Sequence, residues 1–344
     1  DMKRRFLLQG AGALGAHAAL AAPAIAQSRT RLTLYTSWET DTVAPFKTAF
    51  EADTPGVELV PVRDSSGIIT ARLIAEKDNP RADATAGLPI SSLVIFEQQN
   101  MLHGYTPKGV EALKPRFRAP SNPMTWTGTD AFLSVVVFNV PEGAKIGAKL
   151  PSSWQDLLQP ALRGHVVMPN PASSATGYVT LAGWMKTMGE AGAWQYMDKL
   201  HENIATYLHS GSAPVVSTAR GERVAAIGFD LRATREKTQG APIEVVVPSE
   251  GLGWDMSGTA ILRGTRNLEA AQKFVDWTVS KRAHEINARY VGIVGRADVP
   301  AAPPNFPPSA EARMVDVDIA WMAGNRDRIL AEWNRRYGAK SPPR

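Results

Sequence analysis

The 344-residue sequence contains no cysteine. Disulfides, thiolate metal ligands, a cysteine nucleophile and a lipid-anchored cysteine are excluded together. Charge of one sign is not massed anywhere. With 38 basic and 33 acidic residues the formal charge is +5, and no stripe of Lys and Arg with interleaved aromatics offers a nucleic acid a surface. The six histidines, His17, His103, His165, His201, His209 and His284, show no HExxH or other short metal spacing. No GxSxG nominates a nucleophile. No Gly and Lys stand before the serine clusters as a nucleotide-phosphate loop requires. These absences predict a binding protein that is not an enzyme and carries no cofactor or metal.

Long apolar runs are also missing, with one exception. "MKRR" precedes "FLLQGAGALGAHAALAAPAIA", which is interrupted by Gln9 and His17 and closes on Ala24-Ile25-Ala26. A basic start, an apolar stretch and a small-residue exit predict an export signal over residues 1–26, cut before Gln27. Lys3-Arg4-Arg5 before Phe6-Leu7 is twin-arginine-like as well, so the route of export stays open. Residues 1–26 carry three cations and one anion, which leaves +3 on the remainder. That is mildly basic and compatible with an anionic ligand.

What is present is an alternation of short β-branched runs and helical patterns, the signature of an α/β fold with parallel strands flanked by helices. "RLTLYT" reads as a strand, "SWETD" as a loop and residues 42–52 as a helix with Val43, Phe46 and Phe50 on one face. The unit recurs in "VELVPV", "RDSSG", "IITARLIAEK" and again in "ADATA", "GLP", "ISSLVIFEQQNML". "HVVM" leads through "NPASSATGY" into "YVTLAGWMKTM", and "RVAAIGF" ends at Asp230 before a basic helical stretch. "IEVVV" runs to "PSEGLGW", and "GTAILRG" precedes "NLEAAQKFVDWTVS", with Asn267 at an N-cap position. The proline-rich tract 299–311 reads as a linker before a last helix around 314–336.

Ligands of open α/β sheets bind beyond the carboxyl ends of the strands. The loops there hold the candidate residues. In "NPASSATG", Ser173, Ser174 and Thr176 surround a helix start whose free N–H groups and dipole attract an anion, and no acid stands nearby. Ordinary N-capping is the alternative for any one of these serines. Ser65 and Ser66 in "DSSG" make a second case, open to both readings. Glu39, Asp230 and Asp255 are candidate partners for a ligand cation, and Trp38 and Trp254 candidate aromatic faces. A solvated loop acid or helix cap, and interdomain packing for Trp254, are the alternatives.

Four stretches, "LTLYTSWE", "LPSSWQDLLQPALRGHVVMPNPASSATGY", "LHENIATYLHSGSAPVVSTARGERVAAIGF" and "GWDMSGTAILRGTRNLEAAQKFVDWTVS", together resemble periplasmic substrate-binding proteins of ABC importers. The resemblance runs over about residues 31–298 and is to the branch of ferric-iron binders and 2-aminoethylphosphonate binders. It implies a type II fold of two lobes, with two parallel-to-mixed sheets flanked by helices and joined by a hinge, working as a monomer that delivers its ligand to a membrane permease. The division it leads us to expect is lobe 1 over 27–130 and 251–300, lobe 2 over 131–250, and a C-terminal linker and helix over 301–344.

The resemblance further implies that Ser173, Ser174, Ala175 and Thr176 hold an anion, with Ser37, Trp38, Glu39, Ser65, Ser66, Asp230 and Trp254 completing the ligand site. Iron binders of this branch carry a histidine in the first loop and adjacent tyrosines at a later strand end. This sequence has Glu39 and Phe229-Asp230 there, so the oxygen cage that ferric iron requires lacks its phenolates. A small phosphonate, 2-aminoethylphosphonate, is the expected ligand, with its ammonium on Asp230 or Glu39. A carboxylate-based iron site, phosphate binding or an enzyme on the same scaffold are the alternatives.

Overall fold

The computed structural model describes residues 29–342, so the expected export signal over 1–26 lies outside the described residues. The first half of the chain builds β1 (Thr30–Thr36), α1 (Thr40–Asp53), β2 (Val57–Arg63), α2 (Ser66–Ala75), β3 (Ala84–Pro89), α3 (Ile90–Gln98), β4 (Leu102–His103), β5 (Thr127–Asn139), α4 (Val140–Ile146) and β6 (Val166–Pro169). There follow α5 (Ala175–Asn203), β7 (Ile204–Leu208), α6 (Ala213–Ala219), β8 (Ala225–Phe229), α7 (Asp230–Thr238) and β9 (Ile243–Val246). The chain then returns through β10 (Trp254–Leu262), α8 (Leu268–Thr278), α9 (Lys281–Asn287) and α10 (Ile319–Tyr337). In α1 the expected face is only partly buried: Phe46 and Phe50 are buried but Val43 is half-exposed, and Phe50 meets Phe274 and Trp277 of α8 edge-on.

The strands run in the order β2-β1-β3-β10-β5-β8-β6-β7. β1 pairs in parallel with β2 and β3, as the repeated strand–loop–helix units require, and β6 pairs in parallel with β7 and β8. The centre is different. β10 is antiparallel to both β3 and β5, and β8 and β9 are antiparallel to β5. "GTAILRG" and "IEVVV" therefore belong to a mixed sheet and are not further parallel units.

β5 is the element that the alternation of patterns does not reveal. Its 13 residues "TGTDAFLSVVVFN" are almost all buried, with no in–out period, because helices cover both faces. Its partners change along its length. Leu133 stands opposite Trp254 of β10, whereas the next residue, Ser134, stands opposite Phe229 of β8. We place the boundary between the lobes at this change of partner, with the connection from β9 to β10 as the return crossing.

The crossing is packed tightly. Ser134 N donates to Gly253 O at 3.0 Å, and Ser134 Oγ and Thr180 Oγ1 of α5 are 2.5 Å apart. Lobe 2 is centred on an aromatic stack, Trp154 against Trp184 and Trp184 against Tyr196, with centroids 5.3 and 4.8 Å apart. Trp154 Nε1 donates to Gly251 O, and Tyr196 Oη donates to Trp154 O, so each of these polar tips is satisfied inside the core.

The segment after residue 301 is more than an appended helix. α10 packs along α3 of lobe 1, while Tyr178 of α5 in lobe 2 donates to Met322 O at 2.6 Å and Trp333 meets Tyr207 edge-on. It thus touches both lobes. Asn267 occupies the N-cap position of α8, but its side chain does not cap; Nδ2 reaches Arg31 O and the Asp83 carboxylate instead.

Gly253 has no room for a side chain, since a Cβ there would lie 1.9 Å from the Val179 carbonyl oxygen of α5. Gly253→Ala is expected to cost about 3 kcal/mol by forcing the return crossing off α5. Thermal denaturation measures this, and a melting temperature equal to the parent's would show that the crossing is looser than its contacts indicate.

Candidate ligand-binding site

The loops at the carboxyl ends of β1, β2, β6 and β7 converge on one cleft between the lobes. Ser37, Trp38 and Glu39 enter it before α1, Ser65 and Ser66 before α2, and Ser174, Ala175 and Thr176 at the start of α5. Eight of the residues expected from sequence are therefore brought together. Glu39, Ser65 and Ser174 hold the N-cap positions of α1, α2 and α5, and none of their side chains caps its helix. The first-turn amides of three helices, which have no partner inside a helix, thus surround one space with their positive dipole ends.

The two serine clusters meet across the cleft. Ala175 N donates to Ser66 Oγ at 2.8 Å, and Gly67 N donates to Ser173 O at 3.0 Å. A Cβ on Gly67 would stand 2.2 Å from Ala172 O, so glycine alone permits this approach. Charged contacts lie farther along. Glu39 accepts from Ser212 Oγ at 2.7 Å and from Arg232 Nη2 at 2.5 Å, Arg235 pairs with Asp41, and His209 Nε2 lies 3.2 Å from Asp64. The lobes are closed.

Three expected residues do not face the cleft. Ser173 turns inward, donating to His209 O at 2.6 Å and Asn170 O at 3.3 Å, and so ties its loop to the one that follows β7. Trp254 donates through Nε1 to Val315 O at 2.6 Å and packs beside the core at the lobe crossing. Asp230 opens α7, buried, and its Oδ1 accepts from Leu133 N at 3.0 Å; burial, with the Asp130 charge adding to it, pushes its carboxyl up to about 7. An acid in that position braces the hinge strand and is not available to a ligand ammonium. Glu39 does line the cleft, but its two oxygens are already held by Ser212 and Arg232. Asp255 is also turned away, accepting from Ser91 N and Met256 N at the start of α3.

Other groups take their place. Arg63, the last residue of β2, brings a guanidinium to the cleft and donates through Nε to Trp38 O at 2.9 Å. Its position directly before "DSSG" is the signal that the sequence carries for it. Asp130 lies in the opposite wall, accepting from Thr129 Oγ1, Asn287 Nδ2 and Ser257 Oγ at 2.8 Å each. Burial holds its carboxyl above the ordinary range, so it acts chiefly to orient Asn287 and Ser257. These residues come from β5, α9 and β10, too far apart in the chain for spacing to reveal them. Trp38 stacks on Phe46 at 4.6 Å, and a Cβ on Gly87 would stand 2.5 Å from its ring, so the indole is fixed.

The Asp230 environment has a pH consequence. Above about pH 4 the unfolded chain releases a proton that folded Asp230 retains until about 7, so this group's contribution to stability falls as pH rises through that window. Asp230→Asn keeps an acceptor for Leu133 N and removes the titration. Its melting temperature relative to the parent is expected to rise by several degrees between pH 4 and pH 8. A constant difference across that range would rule out the buried titration.

The family described as bacterial extracellular solute-binding protein matches residues 91–321. An uncharacterized protein of Haemophilus influenzae is 30% identical over 324 residues, covering 92% of this chain and 93% of that protein. Among solved structures, the periplasmic binding protein AfuA from Actinobacillus pleuropneumoniae, with exogenous fructose-6-phosphate bound, is similar with a TM-score of 0.84 at 30% identity over 90% of this chain and 99% of AfuA. The periplasmic binding protein P5PA gives 0.83 at 28% over 90% of this chain and 100% of P5PA. The mixed two-lobed sheet, the interlobe cleft and these similarities agree: the chain belongs to the bacterial extracellular solute-binding proteins, with the type II fold of the periplasmic subunits that bind a small molecule for an ABC importer.

Proposed function

We propose that this protein captures a small phosphorylated polyol, such as a sugar phosphate, in the periplasm and delivers it as a closed, monomeric complex to an ABC permease. Residues 1–26 serve as its export signal. One observation carries the ligand class: the N-termini of α1, α2 and α5, with Ser65, Ser66, Ser174 and Thr176, open on the same cleft as Arg63. Amides, hydroxyls and a guanidinium together suit a tetrahedral oxyanion. Closure removes water from the phosphoryl group and strengthens each of these bonds. At the opposite wall Asn287 and Ser257, oriented by Asp130, suit hydroxyl groups. The fructose-6-phosphate bound by AfuA is consistent with this chemistry.

The second reading is 2-aminoethylphosphonate, supported by the family resemblance and by Asp130, a cleft carboxylate that makes no ion pair with a cation among the described residues. Its raised carboxyl and three existing hydrogen bonds favour the polyol. The cleft lining contains no tyrosine or histidine, and Glu39 is paired with Arg232, which speaks against ferric iron.

Calorimetry on ligand-free protein with fructose 6-phosphate, fructose, 2-aminoethylphosphonate and inorganic phosphate tests the assignment. Fructose 6-phosphate is expected to bind and fructose to give no heat. Arg63→Ala is expected to weaken binding by roughly 10- to 100-fold and Ser174→Ala by about 5-fold. Tight 2-aminoethylphosphonate binding without fructose 6-phosphate binding would select the second reading, and binding of fructose alone would end both.

A further inference from the structure

α10 carries several arginines, and their surroundings differ in an instructive way. The exposed ones are paired: Arg328 bonds Glu190 at 2.6 and 3.0 Å, and Arg335 and Arg336 both bond Glu332. Arg326 is the reverse. Its side chain is 11% exposed, and its nearest acidic atom is Oδ1 of Asp327, 3.8 Å away on a fully exposed side chain. Among the described residues its guanidinium donates no hydrogen bond.

Arg326 lines a small cavity together with Ser66 and Gly67 of α2, Ser91 and Ser92 of α3, and Ala175 of α5. Ser66 and Ala175 line the cleft on their other side. Arg326 is thus placed beside the N-terminal turns of three helices, whose own N-cap residues make no side-chain cap. The ends of α2 and α5 present positive potential to it, whereas Asp255 meets the first amides of α3. The one buried carboxylate of this region, Asp255, already accepts from Ser91 N and Met256 N and forms no ion pair with Arg326. A largely buried cation facing positive helix ends, with only the exposed Asp327 as counter-charge, is costly, and an anion at the junction offsets that cost.

We propose that Arg326 is a positioning residue for the anionic group of the ligand: it lies behind the Ser66–Ala175 seam and supplies the counter-charge for an oxyanion held on the cleft side. This rests on the phosphoryl-ligand reading above. The C-terminal helix thereby takes part in recognition as well as in packing, and oxyanion binding relieves the strain of its buried charge. Hydrophobic packing alone would not select arginine here, and a surface role would have given it a partner like those of Arg328.

The test compares Arg326→Gln, Arg326→Lys and the surface control Arg328→Gln, each as the full chain freed of ligand. Melting is measured without added anion, and calorimetry uses fructose 6-phosphate, inorganic phosphate and sulfate. Arg326→Gln is expected to melt at or above the parent's temperature without anion, yet to bind the anion about tenfold more weakly; Arg326→Lys restores most of the affinity, and Arg328→Gln leaves affinity unchanged. Unchanged affinity in Arg326→Gln overturns the proposal, as does a loss of affinity accompanied by a lower anion-free melting temperature, which would mark a structural residue. If the parent binds phosphate or sulfate but no sugar phosphate or phosphonate, the proposed cargo is wrong and Arg326 is judged by the same comparison on the inorganic anion. If the parent binds no anion at all, both fall together.

Discussion

Two backbone-level contacts, Ala175 N to Ser66 Oγ and Gly67 N to Ser173 O, join the start of α2 in one lobe to the start of α5 in the other. The rest of the site depends on that seam. It brings two positive helix ends close together, which is unfavourable by itself and becomes favourable when negative charge lies over the join. It also requires glycine at position 67, because any Cβ would strike the facing loop. Around it the hydroxyls of both clusters and the Arg63 guanidinium share one space, so an oxyanion placed there is bonded by both lobes together.

Much of this arrangement is legible in the amino-acid sequence. The strand–loop–helix alternation points to the α/β class, and the positions of "DSSG" and "NPASSATG" at strand ends point to the cleft. The hinge strand is not legible, because "TGTDAFLSVVVFN" is buried on both faces and shows no period. The antiparallel centre stays hidden with it, since pairing direction is set by topology that local pattern does not carry.

Individual side chains are less legible than loops, for a common reason. A residue's place in a loop shows which end of the sheet it occupies but not which way its side chain points. Ser173 and Ser174 are neighbours, yet one bonds the loop after β7 and the other opens on the cleft. Asp230 and Glu39 look alike as strand-end acids, and the structure uses one to brace β5 and the other to accept from Arg232. Asp130, Asn287 and Ser257 leave no mark in the pattern because tertiary folding alone assembles them.

The Glu39–Arg232 and Arg235–Asp41 pairs and the seam bonds are all made between parts of the protein itself. Shutting therefore does not need cargo to complete its contacts, and the empty shut form has a finite population set by these bonds against the hinge. A permease that responded to lobe position alone would then spend transport cycles on vacant carriers. With the proposed phosphoryl cargo, discrimination between full and vacant carriers would come from the balance of charge at the join.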